Sequence, residues 1–518
     1  MLKTYSRKVS TLHAGTFTAR VTVVQCPVCP EAPPFHSELL NTLVSPHCNF
    51  GHDVMVYAGE AVLRRNRTVA EAATELRARN VKVSESQVRD LVARFTVSLG
   101  VAQAEAAPRL REHLRAAGGY ILHIDSTCKG GSDHLLSGID ELSGFVLLNV
   151  KAPTESGPQV ADFLRRVTKR FGPPLAVSCD MSAGIRVAVA EVLPKTPVFI
   201  CHFHFLRDLG RDLMDPDYAK IRAGLARHGP KAQLERLLRE LRGEAKQEAD
   251  AVANLLARLE SNRAEHPMPE PVPHKALITG FVASILESQS DGDGCGFPFD
   301  RPHLSFLQQA RSVFQAACSL RDCARLTADE HKLYTRLINV LRPVCSDAEL
   351  ARAADRLQTD AKVLDRLRIA MRIVAPNVAD GLNDEGETVT PATIEREVRN
   401  FCEQLRDSQA CEGRSRYSGM LEQIEKYSDR LFADPIQVQT PQGVRMIQPQ
   451  RTNNILERFF RRLNRQGCKR TGCRPNARFI NDMLPDAPLI ANLDNPVYLK
   501  LLLGDCKTLA ERLARVDR

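Results

Sequence analysis

The spacing of hydrophobic and polar positions changes along this chain, and the changes mark its elements. YILHIDSTCKGG opens with a short aliphatic run that stops at Asp125. Two more apolar runs follow, near Leu135–Ile139 and Phe145–Val150, with a tight turn over Asp140–Gly144 between them. GPQVADFLRRVTKRFG places Val160, Phe163, Leu164 and Val167 on one face of a helix. PLAVSCDMS reads as a fourth strand ending at Asp180, GIRVAVAEVLPKT as a helix, and PVFICHFHF as a fifth strand. The order β-β-β-α-β-α-β predicts a mixed sheet with helices on its faces.

Helical spacing governs the rest. In RTVAEAATELRARNVKVSESQVRDLVARF, Thr68 with Glu71 and Ser84 with Gln87 form capping boxes. They predict helices near Val69–Arg79 and Glu85–Phe95, separated by a turn over Asn80–Val83. Val69, Ala72, Ala73 and Leu76 make one apolar stripe, and Val88, Leu91, Val92 and Phe95 the other. Two short capped helices with a tight turn suggest a helix-turn-helix. Gln87, Arg89 and Arg94 would then face bases or phosphates from its second helix. An Ala/Arg-rich helical linker follows. From Leu206 to about Leu431 the chain is rich in Ala, Leu, Arg and Glu at helical spacing, with no sustained heptad and no fixed repeat. QLERLLRELRGEAKQEADAVANLLARLES is one such run. Near the end, Leu456, Phe459, Phe460 and Leu463 form a last stripe suited to docking on the sheet.

At 518 residues the chain exceeds one ordinary core. Its 43% hydrophobic and 26% charged content is that of a globular protein. No apolar run is long enough for a membrane span, and the N-terminus lacks the apolar region of a signal peptide. That predicts a cytoplasmic protein, nucleoid-associated in a bacterium. The fifteen cysteines are odd in number and scattered, which reads as reduced thiols. Charge is uneven: Met1–Arg115 carries 15 basic and 10 acidic residues, and Pro441–Arg518 carries 15 and 7. Both ends suit a polyanion.

Cys26 and Cys29, at C-x2-C spacing, and Cys48 with His52 suit a tetrahedral structural zinc, with His47 and His36 competing for the fourth place. Asp125 and Asp180 close the first and fourth strands, which is the ribonuclease H pattern; there those two strands lie side by side. Two carboxylates at adjacent strand ends can share two Mg2+ or Mn2+ ions, the arrangement phosphodiester cleavage needs. Asp133, Asp140 and Asp162 belong to turns or a helix face. Cys128 and Cys179 read as small core packers, Cys201 and His204 as structural, and His202 as facing solvent. Glu457 is the lone acid of RTNNILERFFRRLNRQGCKRTG, against seven Arg and Lys. It is either an i,i+4 partner of Arg461 or the third metal ligand, with Arg458, Arg461, Arg462 and Arg465 on phosphates. Glu403, Glu422 and Glu425 are rivals without that basic surround.

HIDSTCK, SCDMSAGIRVAVAEVLPKTPVFICHFHFLRDLGRDL and TNNILERFFRRLNR, in that order, resemble the DDE transposases, and most nearly the Mutator-like group with its bacterial insertion-sequence relatives. The likeness runs from Arg64 to about Arg474. Asp125, Asp180 and Glu457 match the catalytic triad, and Cys201 and His204 match the family's C-x-x-H. The resemblance implies a ribonuclease H-like core interrupted by an all-helical insertion. The expected organisation is a zinc knuckle (1–58), helix-turn-helix (59–100), linker (101–118), core (119–214), helical insertion (215–440), core completion (441–480) and a tail (481–518). The function implied is a transposase that hydrolyses the phosphodiester at element ends and joins the freed 3′-hydroxyl to target double-stranded DNA, as a homo-oligomer. A domesticated DNA-binding relative that no longer cuts, and a nuclease that cuts without joining, are the alternatives.

Overall fold

A computed structural model describes residues 3–29, 31–244, 274–289, 292, 294, 296–323, 325–373, 389–408, 415–474 and 476–516. The chain divides into two compact units. One joins Met1–Cys201 to Asp429–Arg518, and the other lies between His202 and Ser428.

The first unit opens with an antiparallel hairpin of β1 (Lys3–Thr11) and β2 (Gly15–Val23), an element the zinc-knuckle expectation lacks. α1 (His52–Gly59) runs on as a π-helical turn over Glu60–Arg64. α2 (Val69–Ala78) and α3 (Glu85–Ala116) begin at Thr68 and Ser84, each with both capping-box hydrogen bonds formed. α3 is 32 residues long. The segment 101–118 is therefore no linker: most of it is the second half of α3. Ala102, Ala106, Leu110 and Leu114 recur every fourth position, extend the stripe of Val88, Leu91 and Phe95, and are buried in the main core. The period never breaks, so the helix does not stop.

β3 (Ile121–Thr127), β4 (His134–Asp140), β5 (Val146–Ala152), β6 (Ala176–Cys179) and β7 (Val198–Ile200) form one mixed sheet in the order β5-β4-β3-β6-β7. β3 and β6 are parallel neighbours, with Ile121 opposite Ala176 and His123 opposite Ser178. Successive side chains alternate faces. Leu122 and Ile124 face the core that holds Phe163 and Leu164 of α4 (Gly157–Phe171), while His123 and Asp125 face the other way. Gly138 lets α4 close on the sheet, since a Cβ there would meet the Phe163 ring at 2.9 Å. α5 (Ala183–Val192) links β6 to β7.

In the second unit, every described element is a helix: α6 (His202–His228), α7 (Pro230–Glu244), α8 (His274–Glu287), α9 (Pro302–Cys323), α10 (Ala328–Cys345), α11 (Ala348–Ala370), α12 (Pro391–Asp407) and α13 (Ser415–Leu431). The helical spacing anticipated this. The run AKQEADAVANLLARLES lies outside the described residues. Tyr417 donates to the buried Asp360 inside this unit.

The helical stretch ends sooner than its expected limit of 440. β8 (Ile436–Thr440) and β9 (Gly443–Ile447) form a hairpin, and their Val438 and Ile447 pack on Ile121, Ala176 and Phe199 of the sheet. α14 (Asn454–Thr471) then carries Leu456, Phe459, Phe460 and Leu463 into the main core, as their stripe predicts. Gly472, left-handed at φ +70°, ends it. Residues 481–518 are not a tail. α15 (Ala477–Asp482), a 3-10 segment (Ala487–Asp494), α16 (Pro496–Leu503) and α17 (Leu509–Val516) bury Leu489, Ile490, Leu493, Tyr498, Leu502 and Leu513. Asn492 closes the edge strand β5, accepting from Val146 N at 2.8 Å and donating to Val146 O at 2.9 Å. Among the described residues no helix is long and apolar enough to cross a membrane.

Candidate active site

Asp125 lies on β3 two residues before the strand ends and is 9% exposed. Asp180 directly follows β6, the strand paired to β3, and its Oδ1 accepts from Ser182 N at 2.8 Å. Parallel pairing of β3 with β6 thus brings both aspartates to one end of the sheet. Cys179, the last residue of β6, feels both: burial, then the charge of Asp180, Cys201 and Asp125, push its thiol far up. Cys179 is an inert core packer, as expected. Cys128 is not, because its place in the loop after β3 leaves it exposed.

The residue that ties α14 to this strand end is Asn453. It occupies the N-cap position, yet its side chain makes no capping bond. Instead Nδ2 donates to the Ile124 carbonyl at 3.2 Å and to Asp125 Oδ2 at 3.3 Å. Its backbone N–H donates to Cys201 Sγ at 3.1 Å. That contact makes the buried Cys201 an acceptor for the backbone at the start of α14. With the amide nitrogen turned to Asp125, Oδ1 faces His123, whose Nδ1 donates at 2.8 Å. The other ring nitrogen of His123 meets Glu141 Oε2 at 2.9 Å, and Glu141 Oε1 accepts from Gln450 N at 3.0 Å. His123 is 0% exposed and Asn453 1%. Glu141, His123, Asn453 and Asp125 therefore form one buried chain of hydrogen bonds. In the sequence Glu141 looked like a turn residue and His123 like part of an apolar strand. The legible signal was a polar residue at an inward position two before Asp125.

Glu457 follows Asn453 by four positions, one helical turn along α14. Its carboxylate is 29% exposed and pairs with Arg461 at 3.5 Å, so the simpler of the two expectations is realised in this structure. Two polar side chains lie in line with Asp125 across the sheet: Ser137 opposite it, and Asn149 opposite Ser137. Ser137 Oγ, both side-chain polar atoms of Asn149 and Ser178 Oγ are buried with no hydrogen-bond partner among the described residues. Three carboxylates are the hard oxygen donors Mg2+ or Mn2+ takes. Among the described residues, however, no group of three or more His, Cys, Asp or Glu is gathered closely enough to hold a metal ion. Asp133 sits in the loop before β4, and Asp162 on the exposed face of α4; Asp140, expected in a turn, is the buried last residue of β4, and its carboxylate accepts from Leu142 N and Ser143 N of the turn that follows. Glu403, Glu422 and Glu425 are exposed on helices of the second unit.

Arg458, Arg461, Arg462 and Arg465 share one exposed face of α14. With Arg64, Asn66, Gln466 and Lys469 they line a hollow of about 430 Å³. Arg64 and Arg462 both pair with Asp494, Arg64 at 2.8 Å. Arg451 opens the basic stretch but is 6% exposed, and burial pushes its guanidinium down to about 10. It belongs to the core.

The other expected site residues are dispersed. Cys26 and Cys29 are exposed together beyond β2, where backbone N–H groups of Val28 and Cys29 hold the Cys26 thiol below its usual range. Cys48 accepts instead from Arg94, which also donates to Ser45 Oγ at 3.1 Å. Arg94 thus points inward, unlike Arg89. The Gln87 side chain accepts from Ser84 N at 2.8 Å, completing its cap. His52 is buried at the start of α1, His47 has φ 59°, and His36 lies beside Glu38 at 3.5 Å. His202, expected at solvent, is 1% exposed because it begins the buried face of α6; His204, two positions on, is 4% exposed.

Compared with known proteins, the chain matches no family model and no curated sequence.

Proposed function

We propose that this chain is a DNA transposase of the DDE type, with a ribonuclease H-like core in which Asp125, Asp180 and Glu457 are the catalytic carboxylates. The observation that carries the reading is the Asn453–Asp125 hydrogen bond. It fixes the start of α14 against the strand end that carries the first aspartate, beside the strand that delivers the second. The three carboxylates would hold two divalent cations, which supply an activated attacking oxygen and a stabilised leaving oxygen. For this Glu457 must exchange Arg461 for a cation. Asn453, held by His123 and Glu141, keeps the Asp125 carboxylate aimed. The arginine face of α14 grips phosphates, positioning double-stranded DNA without reading its sequence. Hydrolysis at an element end would free a 3′-hydroxyl, and that hydroxyl would attack target DNA. Assembly of two ends calls for a homo-oligomer. α2 and α3 would act as the helix-turn-helix, with Arg89 the outward cation. Cys26 and Cys29, with Cys48 and His52, would gather around one Zn2+.

The Glu457–Arg461 ion pair favours a second reading, a domesticated relative that binds DNA without cutting. Mg2+- or Mn2+-dependent cleavage of supercoiled DNA carrying the element's ends separates the two. Wild type should cut and join, while Asp125→Asn, Asp180→Asn and Glu457→Gln bind DNA and stay inert. Unimpaired cleavage by Glu457→Gln would remove that residue from the site. Tight binding with no cleavage by wild type would establish the second reading, and cleavage without joined products a plain nuclease.

A further inference from the structure

Beside the arginine hollow on α14 lies a cavity of about 530 Å³, the size of a small-ligand site. Its walls include Val69, Val92, Leu463, Phe479 and Met483. Arg67, Arg89, Arg470, Arg474 and Arg478 also line it, against one acid, Asp482. Arg478 is paired with Asp482 at 3.1 Å, Arg67 with Glu75 at 2.9 Å and Arg89 with Glu85 at 3.5 Å, so the excess positive charge of the chamber rests on Arg470 and Arg474. Arg470 lies over the Phe479 ring, its guanidinium carbon 5.8 Å from the centroid. Phe479 in turn closes on α14 at Gly467, where a Cβ would meet the ring at 2.7 Å. Gln466 lines this cavity and the arginine hollow alike, so the two adjoin.

An apolar chamber with this excess of arginines suits a ligand that is flat and apolar in one part and anionic in another. A free phosphate would leave the chamber unused, and a neutral apolar molecule would leave the cations unused. We propose that the cavity takes one unpaired nucleobase of DNA, stacked on Phe479 beside the Arg470 guanidinium, with its flanking phosphates on the remaining arginines. The backbone would reach it from the adjoining hollow, over Gln466. This assignment rests on the DNA-binding reading. It adds that the bound duplex carries an extruded base, which costs less at a mismatch or bulge than inside a paired stack.

The chain contains no tryptophan, so Leu484→Trp, at a half-exposed position on the cavity wall, gives a single reporter. Three duplexes are compared: fully paired, with one bulged adenosine, and with an abasic residue at the bulge. The bulged base should quench the tryptophan and bind roughly tenfold tighter than the abasic duplex, as expected for one stacked base. Phe479→Ala should shrink that preference below about twofold while leaving fully paired DNA bound. Equal binding of bulged and abasic duplexes, with no change in fluorescence, overturns the pocket and leaves the DNA reading standing. Failure to bind any duplex overturns both. Quenching by a fatty acid and by no oligonucleotide assigns the cavity to an amphipathic carboxylate and overturns the proposal. Should Leu484→Trp not fold, 2-aminopurine at the bulge reports the same event on the unaltered chain.

Discussion

Asn453 sits at the N-cap of α14 yet spends its side chain on Asp125, to which it donates at 3.3 Å while accepting from His123 at 2.8 Å. An asparagine at that position ordinarily caps its own helix. Here the helix start is held by the sheet instead, and one residue sets both the placement of α14 and the orientation of the Asp125 carboxylate.

Asn453→Ala should therefore act twice. It leaves the Ile124 carbonyl and His123 Nδ1 buried without this partner, at a cost of about 1–3 kcal/mol for each such group. Urea denaturation reads that loss. Metal-dependent nicking should fall more than tenfold even under conditions where the variant remains folded, and His123→Ala should reproduce the pattern. Stability lost with nicking unchanged would make the network structural only.

Asp494 pairs with both Arg64 and Arg462, and in the DNA-binding reading it would compete with phosphate for them. Burial raises its carboxyl, but bonds from Arg462 and Arg64 outweigh this and hold it below the ordinary range. A depressed folded-state value means these contacts stabilise above the unfolded carboxylate range, near pH 4, and fade as the pH drops below it. Asp494→Asn should cost little stability at neutral pH. It should tighten duplex binding and steepen its salt dependence by about one or two phosphate contacts, measured by titration at several salt concentrations.

Loss of a phosphate contact gives the opposite sign. Arg458→Ala and Arg465→Ala should each weaken binding about equally for unrelated sequences and flatten the salt slope by about one unit. An effect confined to one sequence would mean base reading and not phosphate gripping.

Gly138→Ala tests how closely α4 seats on the sheet. Its new methyl would meet the Phe163 ring at 2.9 Å and Leu122 Cδ1 at 3.1 Å. Overpacking of this kind costs about 1–3 kcal/mol, readable as a lowered denaturation midpoint. No change would show that the Phe163 ring can swing aside.

In the second unit, Asp347 caps α11, accepting from Glu349 N at 3.0 Å and Leu350 N at 3.1 Å. Its bond from His228 is the main reason its carboxyl is lowered to about 2, with the backbone bonds adding to the effect. The contribution is full above about pH 4 and fades as pH falls toward 2. Asp347→Ala should cost about 1–2 kcal/mol at neutral pH and much less at pH 2, measured by thermal denaturation of both proteins across that range.

What the amino-acid order determined by itself is what depends on near neighbours. Aliphatic runs gave the five strands and their sequence, capping boxes placed the starts of α2 and α3, and apolar stripes gave α4 and α14. The same locality explains the misreadings. A helix of Ala and Leu at fourth positions looks like a linker until something packs on it, as with Ala102 to Leu114, and a segment of short helices looks like a tail until Leu489 and Tyr498 are seen in the core. The candidate carboxylates were legible in the sequence, but the hydrogen-bond network that holds Asp125 was decided by the tertiary structure alone. His123 and Glu141 are 18 positions apart, and His123 and Asn453 are 330 apart. No periodicity relates them; they meet because β3 lies between β4 and β6 and α14 docks on the face where His123 and Asp125 emerge. It also decided which arginines serve the core and which the surface. Arg451 and Arg458 are alike in sequence context, but the backbone buries one and exposes the other.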